Sequence, residues 1–227
     1  MPRTKQSKGR CAYCNAEMAK NAITKHLSMC PKHLSIIEQA KQKKGKVEIL
    51  YHLRVQDAWR KEFWFDIEMR GSSTLQDLDD YLRSIWLECC GHLSQFTSGG
   101  WGGGEISMNR RIDDIFTRQN ELTHIYDFGT SSETVIALVG TREGHSTTSR
   151  PLALMARNLM PEAKCTACEQ PATQLCMECL IEEEKWGTLC DTHVKKHPHD
   201  NYGEPIPLVN SPRLGMCGYE GPADPPY

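Results

Sequence analysis

The amino-acid sequence predicts an α+β protein, with a middle domain of strands and helix between two small zinc-stabilised modules. Three observations lead to this class. Apolar residues alternate with polar ones in the middle of the chain, one segment there has helical spacing, and Cys and His residues cluster near both ends. We therefore predict a basic zinc-finger segment over residues 1–46, an α+β domain over residues 47–150, and a zinc-binding module with a tail over residues 151–227.

The middle domain begins with two strands and a helix. Apolar residues occupy alternate positions over residues 47–55 and again over residues 61–69, which is typical of strands that bury one face. Ser73 and Gln76 have the spacing of a capping box, and leucines recur at helical spacing after them. This pattern predicts a helix that starts at Ser73 and ends near Gly91.

The second half of the middle domain consists of shorter elements. Residues 121–128 and 133–139 are predicted to pair as the two strands of a hairpin, because the turn-forming residues Gly129, Thr130, Ser131 and Ser132 join them. Residues 141–150 have the composition of a surface loop. Residues 151–160 then predict a short helix that connects the middle domain to the C-terminal module.

The 11 cysteines of the chain are predicted to bind metal rather than to form disulfides. Several lie in C-x2-C pairs with histidines nearby. The sequence shows neither the apolar core of a secretory signal nor an apolar run of the length that spans a bilayer. We therefore expect a cytoplasmic protein with no membrane partner, in a compartment that keeps thiols reduced.

Three cysteines and one histidine near the N-terminus have the spacing of a small zinc finger. Two residues separate the first pair of ligands, eleven follow, and three separate the last two, which places those two one helical turn apart. The predicted ligands are Cys11, Cys14, His26 and Cys30. His33 is an alternative ligand, although its place after Pro31 favours a solvated side chain.

A second cluster supplies eight candidate ligands within 35 residues. Its ordered pairs resemble the cross-braced B-box arrangement, in which alternate pairs share an ion. That resemblance implies one ion held by Cys165, Cys168, Cys190 and His193, and another held by Cys176, Cys179, His197 and His199. Cys217 either replaces His199 or is a buried free thiol. Together with the finger, the prediction is three structural zinc ions.

Two further features admit both a functional and a packing interpretation. Cys89 and Cys90 lie beside His92 at the predicted end of the helix, where they could form a nucleophile and base. Packing in the core is the preferred interpretation, because free cysteine behaves as a small apolar residue. Asp127 and Gly129 suit a hairpin turn, in which glycine can take a positive φ, better than a catalytic role.

Charge is distributed unevenly along the chain. Residues 1–46 contain 11 Lys and Arg against 2 acidic residues, a net charge of +9, so the rest of the chain carries −11. A basic finger is suited to phosphate contacts, and we predict weak nucleic-acid binding there; the alternative is a basic tail that keeps the chain soluble. The predicted contact residues are Arg3, Lys5, Lys8, Arg10, Lys20, Lys25 and Lys32.

Four short motifs follow one another in the middle of the chain: Trp59-Arg60, Thr74-Leu75-x2-Leu78, Gly91-His92-Leu93-x2-Phe96 and Tyr126-Asp127-Phe128-Gly129. In order and separation they resemble the plasmid pRiA4b Orf-three-like family over residues 47–139. That family occurs in prokaryotic genomes and on plasmids and transposable elements and has no established activity, so the resemblance implies no particular reaction. The chain departs from the family at Thr130, Ser132 and Thr134, where members commonly have Asp, Trp and His.

The leading functional prediction is a non-enzymatic adaptor or nucleic-acid-associated protein, because every strong motif is a structural metal site. A protein partner is compatible with the same prediction. The alternative is a metal-dependent hydrolase or nuclease that uses acids of the middle domain, such as Asp113, Asp114 or Asp127. No catalytic residue is predicted, since the sequence contains no H-E-x-x-H, G-x-S-x-G or Walker motif. The acids of the predicted helix have the pattern of a solvated face: Asp77, Asp79 and Asp80.

Overall fold

The computed structural model describes residues 7–42 and 45–222. Helices and antiparallel strands occur together in it, so the predicted α+β class is confirmed. None of the helices in the described ranges has the length and apolar character that a membrane span requires. Two lysines of the basic run before the middle domain, Lys43 and Lys44, lie outside the described residues.

The elements follow one another in three groups. The N-terminal segment forms β1 (Lys8–Cys11), β2 (Glu17–Ala19), α1 (Lys20–Met29) and α2 (Pro31–Lys41). The middle of the chain forms β3 (Glu48–Asp57), β4 (Trp64–Arg70), α3 (Leu75–Leu82), β5 (Ser94–Thr97), β6 (Glu105–Ile106), α4 (Ile112–Phe116), β7 (Glu121–Tyr126) and β8 (Ser132–Gly144). The last group is β9 (Leu152–Asn158), β10 (Gln174–Cys176), α5 (Met177–Ile181), β11 (Gly187–Leu189) and β12 (Ile206–Pro207). A π-helical turn over Arg83–Leu87 continues α3, and short 3₁₀ turns cover Gly100–Gly102, Val194–Lys196 and Met216–Gly218.

Within the described residues, nine strands form one antiparallel sheet in the order β2-β1-β9-β4-β3-β8-β7-β5-β6. β3 lies at its centre and pairs with β4 on one side and β8 on the other. β1 and β2 come from the N-terminal segment and β9 from the C-terminal segment, so strands from all three predicted parts share this sheet. A separate three-stranded sheet, β11-β10-β12, belongs to the C-terminal part.

The main hydrophobic core lies on one face of the large sheet. Leu53 and Val55 of β3 and Phe65 of β4 are fully buried there, together with apolar residues of α3 and α4. Trp86 packs edge-on against Phe65, with ring centroids 4.7 Å apart. Strands are present where alternation of apolar residues predicts them, because alternate side chains of a strand reach the same face.

The N-terminal finger covers the opposite face of β4, a contact that the alternation of polar and apolar residues does not indicate. Trp64 has no exposed surface and belongs to one buried cluster with Ile23 and Leu27 of α1. Its indole Nε1 donates to Ser7 Oγ at 3.0 Å. A Cβ atom at Gly9 would lie 2.4 Å from the Trp64 ring, so this close approach of β1 requires glycine.

Charged residues fill the rest of this face in pairs. Arg54 donates two hydrogen bonds to the buried Asp66, at 2.8 and 2.7 Å, and Arg142 donates two to Glu68, both at 2.6 Å. Burial acts to raise the pKa of Asp66, but the nearby His52 ring and the hydrogen bonds from Arg54 outweigh it and hold the pKa below its usual value. These ion pairs provide partners for the carboxylates of Asp66 and Glu68, which the alternating sequence pattern assigns to the solvent-facing side of the strand.

Three local predictions were wrong. The helix is capped by Thr74 rather than Ser73, since Thr74 and Asp77 each accept a hydrogen bond from the other's backbone N–H. β8 extends to Gly144, into the predicted loop, because it pairs along the length of β3. Leu152–Asn158 forms a strand rather than a connecting helix, because β4 and β1 lie on its two sides and supply hydrogen-bond partners.

The predicted hairpin is confirmed, with β7 and β8 paired so that Glu121 lies opposite Ala137. In its turn, however, the positive φ belongs to Asp127, at 65°, and not to Gly129. Asp127 Oδ1 accepts hydrogen bonds from the backbone N–H groups of Gly129 and Thr130, at 3.0 and 3.2 Å. Aspartate tolerates the left-handed conformation because its side chain can bond to the backbone of its own turn.

Trp64 offers a test of how strongly the finger and the sheet depend on each other. We expect Trp64→Ala to lower the free energy of unfolding by about 3–5 kcal/mol, because it leaves a cavity between α1 and β4. Trp59→Ala is the matched control, since the Trp59 side chain is 77% exposed. Urea denaturation followed by circular dichroism measures both variants, and equal losses of stability would contradict the role given to Trp64.

Candidate metal centres

The N-terminal cluster forms where the β1–β2 hairpin meets α1. Cys11 ends β1, and the following turn, with Asn15 in the left-handed conformation at φ 62°, places Cys14 beside the helix. His26 lies on α1 and Cys30 directly follows that helix. The four candidate ligand atoms lie within 4.8 Å of one another, and Cys14 Sγ is 3.2 Å from His26 Nε2. The structure thus brings together all four residues of the predicted finger.

Burial and backbone hydrogen bonding give the thiols of this cluster different acidities. Cys11 has no exposed surface, and burial raises the pKa of its thiol to about 11. Hydrogen bonding by the backbone of Ala16 lowers the pKa of Cys14. A metal ion binds thiolates and releases their protons, so metal binding at this cluster depends on pH and contributes to folding.

His33 lies outside this quartet, and the prediction that its side chain is solvated was wrong. Its ring is buried and stacks on Tyr13, with centroids 4.2 Å apart. Its Nδ1 lies 2.9 Å from the carbonyl oxygen of Leu27, to which an Nδ1–H donates. The physical reason is that Pro31 begins α2 rather than ending regular structure, and this helix directs His33 back onto the finger.

The first C-terminal quartet has one histidine at its centre. His193 Nδ1 lies 3.6 Å from Cys165 Sγ, 3.4 Å from Cys168 Sγ and 3.3 Å from Cys190 Sγ. Cys168 Sγ and Cys190 Sγ are 3.8 Å apart. Hydrogen bonds from the backbone and the side chain of His193 lower the pKa of Cys190 to about 6. The thiolate form that a metal ion requires is therefore accessible at this position.

The second C-terminal quartet is built around α5. Cys179 Sγ lies 3.4 Å from His197 Nε2 and 3.2 Å from His199 Nδ1, and Cys176 Sγ lies 3.7 Å from His199 Nδ1. Cys176 caps α5, because its Sγ accepts a hydrogen bond from the backbone N–H of Cys179. His199 is thus the residue that joins this quartet, and Cys217 lies in another group. The grouping of the eight residues is the one that the B-box resemblance implies.

These separations fit tetrahedral metal coordination. A zinc ion with Zn–S of about 2.3 Å and Zn–N of about 2.0–2.1 Å holds neighbouring ligand atoms about 3.3–3.8 Å apart. The sulfur and nitrogen separations in the C-terminal quartets run from 3.1 to 3.8 Å. Thiolate and imidazole are the donors that structural zinc sites use. The clusters at both ends of the chain can therefore hold metal ions.

A fourth group of this kind escapes the sequence analysis. The structure brings Cys89, Cys90 and His92 together with Cys217, which is 125 residues beyond His92. Cys90 does not pack in the core and Cys217 is not a buried thiol, because both are exposed, so these two interpretations were wrong. Cys89 is half-buried at the edge of the core. The short motif Cys89-Cys90-x-His92 is a signal in the sequence, but no spacing rule connects it to Cys217.

Two of the predicted nucleic-acid contacts are engaged within the protein. Arg10 pairs with Glu17 at 2.5 Å on the surface of the β1–β2 hairpin. Lys20 donates a hydrogen bond to Gln56 Oε1. Burial, together with the positive charge of Arg54, lowers the pKa of Lys20 to about 8. Neither side chain is therefore fully available to a phosphate.

The other predicted contacts are more accessible. Lys8 on β1, Lys25 on α1 and Lys32 on α2 are exposed. Arg3 and Lys5 lie outside the described residues. The finger therefore carries exposed positive charge on three of its four elements, β1, α1 and α2, which are held together around one metal-ligand cluster.

Asp79 is held inside the protein, and the prediction of a solvated helix face was wrong for it. Its carboxylate accepts hydrogen bonds from Arg83, Ser94 and His124, each at 2.7 Å. Burial acts to raise its pKa, but the hydrogen bonds from His124, Ser94 and Arg83 outweigh burial and lower the pKa to about 2. Asp79 therefore joins α3 to β5 and β7 through hydrogen bonds inside the protein.

The acids considered for hydrolytic chemistry lie in different places. Asp113 and Asp114 are on α4, and Asp113 pairs with Arg111 at 3.0 Å. Asp127 lies in the β7–β8 turn and pairs with the buried Arg213 at 2.7 Å. Over residues 7–42 and 45–222, the groups that could hold a cation consist of Cys and His alone. No observation in this part of the chain favours a hydrolase that uses clustered carboxylates.

No protein-family model matches the chain, and no curated protein matches it significantly. A solved structure that is similar in part is that of a protein of unknown function, MM3350, from Methanosarcina mazei Go1. The two sequences are 19% identical, the TM-score is 0.41, and the match covers 48% of this chain and 69% of that one. A likeness of this extent supports no statement about function.

The C-terminal module offers a test of metal-dependent folding. We expect Cys168→Ser to release the ion of the first C-terminal quartet and to increase amide hydrogen exchange over residues 163–200, since the apolar clusters there are small. Amides of β3 and β4 should keep their protection because these strands line the main core. Hydrogen exchange read by mass spectrometry measures both regions.

Glu169→Gln is the matched control for this variant, because Glu169 is an exposed neighbour outside the quartet. It should leave exchange over residues 163–200 unchanged. Two results would contradict metal-dependent folding of this module: unchanged exchange in Cys168→Ser, or an equal loss of protection in β3.

Proposed function

We propose that the chain is a zinc-dependent binding protein without catalytic activity, and that its N-terminal finger binds nucleic acid weakly through phosphates. The observation that supports this most is the convergence of the predicted ligands into quartets with tetrahedral spacing. Four protein ligands leave no open position for a reacting water, so zinc in such a quartet is structural.

In this proposal three zinc ions stabilise the two ends of the chain. Zinc suits these quartets because thiolate and imidazole donors match its preference and a tetrahedral site satisfies its geometry. The three groups of ligands are Cys11, Cys14, His26 and Cys30; Cys165, Cys168, Cys190 and His193; and Cys176, Cys179, His197 and His199.

The finger supplies the charge for nucleic-acid binding. Residues 1–46 carry a net charge of +9, and the exposed Lys8, Lys25 and Lys32 lie on three elements held around one cluster. A positive surface of this kind neutralises phosphates and releases their condensed counterions. The rest of the chain carries −11 and would repel a polyanion, so binding is assigned to the finger.

The packing of α1 favours binding with little sequence preference. In DNA-binding fingers of the ββα type, side chains near the start of the helix reach the base edges. Here Lys20, at the start of α1, bonds to Gln56 of β3, and Thr24 accepts a hydrogen bond from Arg54 of β3 at 3.3 Å. With this part of the helix against the sheet, the available contacts are to phosphates.

A protein partner is the second candidate for an adaptor of this kind. Trp59 is 77% exposed, and Trp101 and Phe128 expose about half of their surfaces while their rings contact each other at 5.5 Å. Aromatic residues are enriched at protein interfaces. We also propose membership of the plasmid pRiA4b Orf-three-like family for residues 47–139, on the motifs given above; that family adds no known reaction.

The test is a titration of labelled DNA and RNA with the full chain at several salt concentrations. We expect a variant with Lys8→Gln, Lys25→Gln and Lys32→Gln to bind more weakly than the unaltered chain. The slope of log affinity against log salt should fall by about 3, because each lost phosphate contact removes about 1 from the slope.

The matched control removes three exposed lysines from the C-terminal module through Lys185→Gln, Lys195→Gln and Lys196→Gln. It changes the net charge equally and should bind like the unaltered chain. Equal weakening in both variants would show that binding does not reside in the finger. Absence of binding at low salt would refute the nucleic-acid role and leave a protein partner.

A further inference from the structure

Three cysteines fall outside the three predicted quartets, and the structure places all three in one group with a histidine. We propose that Cys89, Cys90, His92 and Cys217 form a fourth zinc site, and that the ion in it fastens the C-terminal segment to the middle domain. With this group, each of the 11 cysteines of the sequence belongs to a Cys/His quartet.

The separations within the group match those of a tetrahedral ligand shell. Cys90 Sγ lies 3.7 Å from Cys89 Sγ and 3.6 Å from Cys217 Sγ. His92 Nε2 lies 3.1 Å from Cys90 Sγ and 3.3 Å from Cys217 Sγ. Neighbouring ligands of zinc are about 3.3–3.8 Å apart. A disulfide would need sulfur atoms about 2.05 Å apart, and it would involve two of the four side chains of this group.

The three ligands of the middle domain lie on a loop whose backbone is held in place. Glu88 Oε1 accepts a hydrogen bond from the Gly91 N–H at 2.6 Å, and Gly91 has a φ of 80°, which glycine adopts without strain. Arg83 donates to Glu88 Oε2 and to the carbonyl oxygen of His92, both at 2.7 Å. Because contacts within the protein already order this loop, the binding of an ion there costs little conformational entropy.

The fourth ligand lies on the C-terminal segment, which is anchored beside that loop. Arg213 is fully buried and donates to the carbonyl oxygen of Thr130 at 3.0 Å and to Asp127 Oδ2 at 2.7 Å. Its guanidinium also reaches Cys89 Sγ at 3.5 Å, and Asp127 Oδ2 lies 3.4 Å from His92 Nε2. Arg213 thus contacts both the carboxylate of Asp127 and the thiol of Cys89, and its positive charge next to Cys89 would stabilise the thiolate form that a zinc ion binds.

Exposure separates this group from the other three. Cys90 and Cys217 are exposed, whereas every ligand of the other quartets is buried or half-buried. A chelator can therefore reach the fourth ion more readily. Its removal releases Cys217 while leaving the other modules intact, which gives the C-terminal segment an attachment that depends on available zinc.

The first experiment compares the zinc content of the full chain with those of Cys90→Ser and Cys217→Ser, all purified under reducing conditions. We expect each variant, and also the double variant, to contain one ion fewer than the unaltered chain, because both thiols serve the same ion. Met216→Leu, next to Cys217, is the matched control and should keep the full content. Equal zinc content in all five proteins would overturn the site.

His92→Ala provides an independent variant that alters no cysteine. It should also lose one ion, and it should weaken the thiolate-to-metal charge-transfer absorption of the Co²⁺-loaded protein by the same amount as Cys217→Ser. Retention of the ion in His92→Ala would overturn the ligand set. These readouts involve no nucleic acid, so the outcome is separate from that of the function proposed above.

The fastening role is tested by limited proteolysis of residues 203–222. In Cys217→Ser, and in the unaltered chain after a chelator has removed one ion, this segment should be cleaved several-fold faster than in Met216→Leu. Loss of one ion without faster cleavage would overturn the fastening role. Fragments from the main sheet should appear at the same rate in all the proteins, because its core does not include Cys217.

Discussion

The burial of Trp64 between β4 and the N-terminal finger is the interaction on which the arrangement of the chain depends. The ring shares a buried cluster with Ile23 and Leu27, and the backbone N–H of Trp64 donates to the side chain of Asn158 in β9 at 3.1 Å. This residue therefore joins the finger to two strands of the sheet. The finger is part of the main fold in consequence, and its metal ligands are positioned against a sheet rather than at the end of a linker.

Folding depends on metal binding to different degrees at the two ends of the chain. The N-terminal cluster shares apolar contacts with Trp64 and Met155 of the large sheet, so the sheet supports it in addition to a metal ion. The C-terminal quartets adjoin small clusters around Leu175 and Leu189. A unit with so little buried apolar surface takes much of its folding energy from its metal. The C-terminal module is accordingly the part in which we expect folding and metal binding to be most closely linked.

Buried charged residues specify how the segments meet. Arg54 pairs with Asp66 beneath the finger, and Arg213 connects the C-terminal segment to Asp127 in the middle domain. Removing one partner of such a pair would leave an uncompensated charge in the interior, which is strongly unfavourable. The ion pairs therefore disfavour other arrangements of the same segments, because such arrangements would leave a buried charge unpaired. Apolar contacts are less selective, because they are not directional. Arg213 also lies beside the group formed by Cys89, Cys90, His92 and Cys217.

The sequence by itself determined the features that depend on neighbours along the chain. Alternation located β3 and β4, and the turn-forming residues 129–132 indicated the hairpin of β7 and β8. The ligand spacing defined the N-terminal quartet, because a turn or one helical turn fixes which ligands can face the same ion, and the B-box resemblance implied the two C-terminal quartets. Tertiary structure decided the burial of Trp64 and His33, the strand at Leu152–Asn158, and the meeting of Cys90 with Cys217 across 127 residues. No spacing rule covers these contacts, because their free energy comes from pairing between segments that only the folded chain brings together.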